Sequence, residues 1–293
     1  MSDYRTYWGL KRSAFQNLQI PEEYFLTEQI RELSQRLKAA CEWGESVVSI
    51  SGPAGIGKTS LIEYLSSTTP IRDYDLVGLH ISEGIQSSGW LLPKLALFFA
   101  PNHEKSADLI SIFFKGLEHL SKQKRKLLVL IDDAHRLESE DSHQELQSLV
   151  SMHMQANRMF TFLLFQEPLH PDDARLTFNS KTILKYPAWT SEDFRRFLKE
   201  RLAIHDLPEN VFSEDALFAI FKAAGGVTSK LLSICELCLM ESYILQTKII
   251  NKAVVEKVVE RQYPVDTYAD GRSRMLPAVN SNLLDLLNPK KSS

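Results

Sequence analysis

Cysteine is scarce in this 293-residue chain, which has only Cys41, Cys235 and Cys238. An odd, sparse set excludes a disulfide scaffold and fits a reducing compartment. A dominant charge is also missing. The 34 basic and 37 acidic residues leave a net charge of −3, so no global basic field exists and nucleic-acid binding needs a local patch. No apolar run approaches the ~20 residues of a membrane span. Residues 1–11 lack the basic-then-apolar layout of a secretory leader. There is no internal repeat or low-complexity block, which excludes repeat arrays. What remains reads as a cytoplasmic, soluble chain, 44% hydrophobic, with enough length for one large or two modest domains.

Residues 1–28 read as an irregular arm carrying Tyr7, Trp8, Phe15, Tyr24 and Phe25. Residues 29–43 are helical by the spacing of Ile30, Leu33, Leu37 and Cys41. Short β-branched or apolar runs at 46–50, 75–81, 126–131 and 160–165 read as strands. Helices are expected at 57–65, 90–99, 107–120 and 144–155. This alternation predicts an α/β domain over 29–186, a parallel sheet sandwiched by helices. After Pro187 the pattern is helical alone, with helices at 192–203, 214–223, 229–244 and 251–261, and predicts a small all-helical domain over 187–262. Residues 263–293 read as a partly disordered tail with a short apolar patch at Leu283–Leu287.

The first strand runs into Gly52, Pro53, Ala54, Gly55, Ile56, Gly57, Lys58, Thr59 and Ser60. Strand, glycine-rich turn, Lys-Thr and helix, in that order, make a P-loop (Walker A) and predict ATP with Mg2+ as ligands. Glycines let backbone N–H groups curl toward phosphates, and the helix N-terminus adds positive potential. Lys58 reaches the β- and γ-phosphates, and Thr59 lends a hydroxyl to the Mg2+ shell. The apolar run Leu127–Ile131 ends in Asp132 and Asp133, a Walker B pattern. Asp132 is the expected metal-holding carboxylate at the strand's carboxyl edge. Asp133 stands where many such enzymes carry Glu as the base, and the missing methylene shortens its reach by ~1.5 Å, enough to slow turnover. Gln166 ends another strand and either meets the γ-phosphate and lytic water or opens a loop.

These motifs, with Tyr7-Trp8-Gly9-Leu10, Tyr24-Phe25-Leu26-Thr27, Phe165-Gln166-Glu167-Pro168-Leu169 and Ala224-Gly225-Gly226-Val227, resemble AAA+ ATPases of the ExeA/GspA type over roughly residues 4–262. The transposition ATPases TniB and TnsC are more distant relatives. The resemblance implies a P-loop AAA+ core followed by a helical lid, with nucleotide clamped between them and the arm, Trp8 included, flanking adenine. It also implies a homo-oligomer in which an arginine reaches a neighbour's γ-phosphate. Thr228-Ser229 replaces the family's lid Pro-Arg, which leaves Lys230 as the nearest cation. The inter-subunit arginine is expected just before Ile183, where Lys181-Thr182 stands, and Arg175 is the nearest candidate. These departures and Asp133 imply weak hydrolysis or a slow nucleotide switch. Secretion-type relatives add a membrane segment and a wall-binding domain after the lid, and this chain has neither.

Other features stay open or read as structural. Tyr7, Trp8 and Phe15 either stack on a base or pack into a core groove. Lys122-Gln123-Lys124-Arg125-Lys126 reads better as a solvated loop than as a DNA patch. Cys235 and Cys238 read as core residues rather than zinc ligands, because zinc needs four donors as a rule. His135 is either a surface or capping residue or a nucleotide sensor. The expected partners are ATP or ADP, a second copy, an unidentified protein, and DNA as an open alternative.

Overall fold

The computed structural model describes residues 3–15, 24–69, 72–82, 89–102, 108–137, 139–168, 182–262, 265–267 and 273–275. The chain divides into two units, Asn17–Trp189 with Val227–Ser229, and Met1–Gln16 with Thr190–Gly226 and Lys230–Ser293.

The first unit is built on a five-stranded parallel sheet. Its strands are β1 (Val47–Ser51), β2 (Tyr74–His80), β3 (Lys126–Asp132), β4 (Phe160–Gln166) and β5 (Thr182–Lys185), in the order β2-β3-β4-β1-β5. The central strands are buried on both faces, so they read as continuous apolar runs rather than alternating ones. Alternate residues still sort to opposite faces. Leu127, Val129 and Ile131 join Phe160, Phe162 and Leu164 in one cluster with Phe113 and Leu95. Leu128 and Leu130 join Val48, Ile50, Leu163 and Phe165 in the other. The first cluster is covered by α4 (Leu92–Phe99), α5 (Leu109–Lys122) and α6 (Glu140–Ser151); the second by α2 (Glu28–Trp43) and α3 (Lys58–Thr68). Helix α2 starts where Thr27 Oγ1 accepts from Ile30 N at 3.2 Å, and its buried face carries Ile30, Leu33, Leu37 and Cys41.

Several elements depart from the expectation. Strand β5 was not expected. It is an edge strand of only four residues with Ile183 60% exposed, too short for a readable run of buried apolar residues. Helix α6 begins at Glu140 rather than Gln144, because the Ser139 side chain caps it by accepting from Ser142 N. The arm, expected to be irregular, contains α1 (Tyr4–Trp8), capped by Asp3 through Thr6 N at 2.9 Å.

The second unit holds α1 with α7 (Ser191–Ile204), α8 (Glu214–Ala224), α9 (Thr228–Ile244, from Lys230 on) and α10 (Lys252–Gln262). Helix α9 is buried on several sides, with Leu231, Ile234, Cys235, Cys238 and Leu239 inside. Both cysteines are free thiols, and burial pushes Cys238 up to about 12, as expected of inert core thiols. Buried Glu236 accepts from Phe15 N at 2.9 Å, and Arg201 Nε donates to Ala14 O at 2.6 Å. The first residues of the chain are therefore tied into this unit by polar contacts as well as by rings. Residues Val265–Thr267 and Ser273–Met275 pair antiparallel, while the Leu283–Leu287 patch lies outside the described residues. Among the described residues no helix is long and apolar enough to cross a membrane.

Candidate nucleotide site

Parallel strands in register bring their carboxyl ends to one edge of the sheet, where open α/β folds bind ligands. Residues 52–57 leave β1 at this edge and turn into α3. The turn needs glycine twice. Gly55 has φ +71 and Gly57 φ +116, both in the left-handed region. A Cβ on Gly57 would stand 2.9 Å from Tyr186 Oη, and one on Gly52 2.8 Å from Tyr186 Cβ. The loop is pressed against Tyr186 on one side. On another, the start of α9 covers it: Thr228 Oγ1 donates to Ile56 O at 2.9 Å, and Ser229 N donates to Gly55 O at 2.9 Å. Thus Thr228 and Ser229, side by side in the chain, bind two successive carbonyls of the loop.

Lys58 is buried, and its Nζ donates to Gly52 O at 2.8 Å and Pro53 O at 3.1 Å. Burial lowers its pKa, while Glu167, Asp133 and Asp132 oppose that shift. One ammonium thus faces three carboxylates. A triphosphate entering such a site requires a divalent cation to offset the acidic groups. The donor set for that cation is assembled: Thr59 Oγ1 donates to Asp132 Oδ2 at 2.7 Å, joining the start of α3 to the end of β3. Asp132 Oδ1 accepts from Asp133 N at 3.0 Å.

Asp133 adopts φ +53, a left-handed conformation that Asp tolerates better than most residues. Its carboxylate faces Arg136 Nε at 3.5 Å. Gln166 is 3% exposed, and its Oε1 has no hydrogen-bond partner among the described residues. Its backbone carbonyl accepts from Gly52 N at 3.1 Å, so the end of β4 is tied to the start of the loop. A buried, unpaired amide oxygen is costly in a finished core and points to a missing polar partner. Together with the glycine cradle and the Thr59–Asp132 pair, it shows that the residues fit a nucleotide with its metal ion. His135 accepts from Glu167 N at 3.4 Å through Nδ1, with Nε2 3.6 Å from Glu167 Oε1, so it braces the residue after Gln166.

Two of the other expected site residues, Trp8 and Lys230, belong to the helical unit. Trp8 is buried in the helical unit, donating from Nε1 to Leu239 O at 3.1 Å with Lys248 over its ring. Its indole is therefore spent on that unit's core. Tyr24, Phe25, Tyr186 and Trp189 instead line a small cavity beside Gly57 and Ser60. Lys230 lies exposed in the first turn of α9. Arg175 and Lys181 lie outside the described residues. Within the basic run at 122–126, Lys122 pairs with Glu118, Arg125 with Asp75, and Lys126 Nζ donates to the carbonyls of Cys41 and Glu42, while Lys124 is exposed.

Tyr186 carried no sequence signal. Burial pushes its hydroxyl well above the ordinary phenol value, so it stays neutral and donates to Gly57 O at 3.2 Å. Tyr24 Oη, 3.4 Å away, is then its donor. Tyr186→Phe should cost about 0.5–1.5 kcal/mol of stability by removing these bonds. It should weaken ATP only a few-fold, since the ring still backs the loop. Denaturant unfolding and an ATP titration on the same variant check both parts.

No curated protein matches the sequence. Residues 42–171 match the AAA domain family model. Among solved structures, Cdc6p from Pyrobaculum aerophilum aligns with TM-score 0.57 at 16% identity, covering 84% of this chain and 69% of that one. The ADP form of the Aeropyrum pernix ORC2 protein aligns with TM-score 0.59 at 16% identity, covering 86% and 73%. The Aeropyrum pernix ORC1 protein in complex with DNA aligns with TM-score 0.52 at 13% identity, covering 85% and 69%. At such identities the likeness speaks for the fold. The chain thus matches the AAA domain family over residues 42–171 and shares its α/β fold with the Cdc6p and ORC2 structures.

Proposed function

We propose that this protein binds ATP with Mg2+ through residues 52–60 and uses ATP binding, with slow hydrolysis, to control its own oligomeric assembly with a partner. The observation that carries the reading is the meeting of Thr59 and Asp132 at 2.7 Å beside buried Lys58 and the unpartnered Gln166 Oε1. When bound, Mg2+ neutralises phosphate charge and polarises the γ-phosphoryl group. Thr59 and Asp132 would hold the ion, Lys58 would bind the phosphates, and Gln166 would orient water. Asp133 is the base, and its engagement with Arg136 together with its short side chain keeps turnover slow. Thr228 and Ser229 sense the loop directly, through its carbonyls. Lys230 and Arg175 are the cations assigned to the nucleotide and to a neighbouring subunit. The resemblance to ExeA-like proteins supports envelope or secretion machinery as the setting.

A DNA-bound assembly of the TniB/TnsC kind is the second reading. The fold likeness to an ORC1 protein described in complex with DNA favours it. The pairing of Arg125 with Asp75 and of Lys126 with two backbone carbonyls argues against those two side chains as the contact.

Light scattering after size exclusion, with and without ATP and Mg2+, tests the assembly reading. The expected result is a larger species only with ATP and Mg2+, releasing phosphate slowly on the same samples. An ATP-bound chain that remains a silent monomer fits a non-hydrolysing scaffold and overturns the assembly reading. Duplex DNA that binds only with ATP, with affinity falling steeply as salt rises, moves the setting to the second reading.

A further inference from the structure

Strand β2 ends on His80, and its register with β3 sets His80 opposite Asp132. The imidazole is 61% exposed, and Nδ1 lies 3.8 Å from Asp132 Oδ2. That oxygen is the one bonded to the Thr59 hydroxyl. Three donors on three elements, α3, β3 and β2, therefore converge at one point. A separation of 3.8 Å is too long for a hydrogen bond, so the ring nitrogen is not spent on the carboxylate. It is short enough for both atoms to bind one ion, since two ligands at ~2.1 Å from a shared centre stand at most about 4.2 Å apart.

A magnesium site has no use for a nitrogen here. Mg2+ is a hard ion that takes oxygen ligands, whereas imidazole suits the softer first-row metals. The site is not a freestanding metal cage either. Among the described residues no group of three or more His, Cys, Asp or Glu could hold an ion. Nucleotide oxygens and water must complete the shell, which is how a P-loop metal is held.

We infer that His80 is a nitrogen ligand to the divalent ion that accompanies the nucleotide, and that it shifts the preference of this site from Mg2+ toward Mn2+. The inference rests on the nucleotide reading above. Its physical basis is the choice of donor atom. An added imidazole contributes more to Mn2+ than to Mg2+, while Asp132, Thr59 and the phosphates serve both.

The test uses the full chain with Mn2+ and a non-hydrolysable ATP analogue. Pulsed EPR on wild type should detect a nitrogen nucleus coupled directly to Mn2+, and His80→Ala should lose that coupling. Competition between the two ions should show the Mn2+ over Mg2+ preference falling roughly tenfold in His80→Ala, a typical effect of altering a metal's ligand environment. His80 is exposed, so circular dichroism should be unchanged. A wild-type spectrum without directly bound nitrogen, or an ion preference equal in both proteins, overturns the inference and leaves the nucleotide reading intact. A wild type that binds the analogue with neither ion overturns both.

Discussion

Lys58→Ala removes nucleotide binding while the chain stays folded. Lys58 is the buried ammonium of a site that also holds Asp132, Asp133 and Glu167 close enough to shift its titration. In the protein without nucleotide its ammonium is satisfied by Gly52 O and Pro53 O, and a triphosphate exchanges these neutral acceptors for charged ones. Truncating one partner of a buried, hydrogen-bonded charge pair costs about 2–5 kcal/mol, which corresponds to a ~30- to several-thousand-fold loss of affinity. The three carboxylates that remain would then repel the phosphates. Stability without ATP should change little. Two loop carbonyls lose a donor, but an ammonium whose burial disfavours its charge also disappears. Calorimetric titration and the ATP-induced rise in melting temperature read the two effects separately. A Lys58→Ala protein that still gains stability from ATP and Mg2+ would mean that the nucleotide sits elsewhere.

The second large effect is expected at Gly55→Ala. The residue has φ +71, where an L side chain is strained, and its new methyl would lie 1.9 Å from Ser229 Oγ and 2.8 Å from Ser229 Cβ. Rotating the hydroxyl clears the first contact and leaves the second. Either the loop or the start of α9 must move, and with it the bond from Ser229 N to Gly55 O. The left-handed conformation alone costs roughly 1–2 kcal/mol. Nucleotide affinity should therefore drop by about tenfold or more, with a lower melting temperature. Adding Ser229→Gly to this variant should recover the part due to collision and leave the part due to backbone strain. If Gly55→Ala binds ATP like wild type, residues 227–229 do not bear on the loop as described.

The two variants probe different layers of information. Lys58 is legible in the sequence because its chemistry is local. A buried strand, a glycine turn and a Lys-Thr pair opening a helix are contiguous, and they impose their geometry whatever surrounds them. The same holds for β3 with Asp132 at its end, and for β1 and β4, whose unbroken apolar runs report burial on both faces. The pairing of Gly55 with Ser229 is not local, because the two lie far apart in the chain and are joined only by the contact of residues 227–229 with the loop.

Strand β5 illustrates the limit. Thr182–Lys185 has strand-forming residues in Thr182 and Ile183 but only four residues, too few to show a period, and it is a strand through its pairing with β1. Tyr186 inherits its place under the P-loop from that pairing. The arm shows the converse. Its aromatic residues were visible, but Trp8 and Tyr24 take different units because Leu239 O satisfies one ring's N–H and the Tyr64 ring stacks on the other, 4.9 Å between centroids. His80 is an ordinary strand-end residue until the β2–β3 register sets it level with Asp132. By itself, then, the sequence determined the alternating α/β core, the all-helical stretch after it, and the glycine-rich turn and acidic strand end. Those are properties of contiguous residues, through periodicity and backbone conformation. Only the tertiary structure decided which aromatic rings stand by the loop, what covers Gly55 and what joins Asp132, because strand register and helix packing alone bring residues so far apart in the chain within bonding distance.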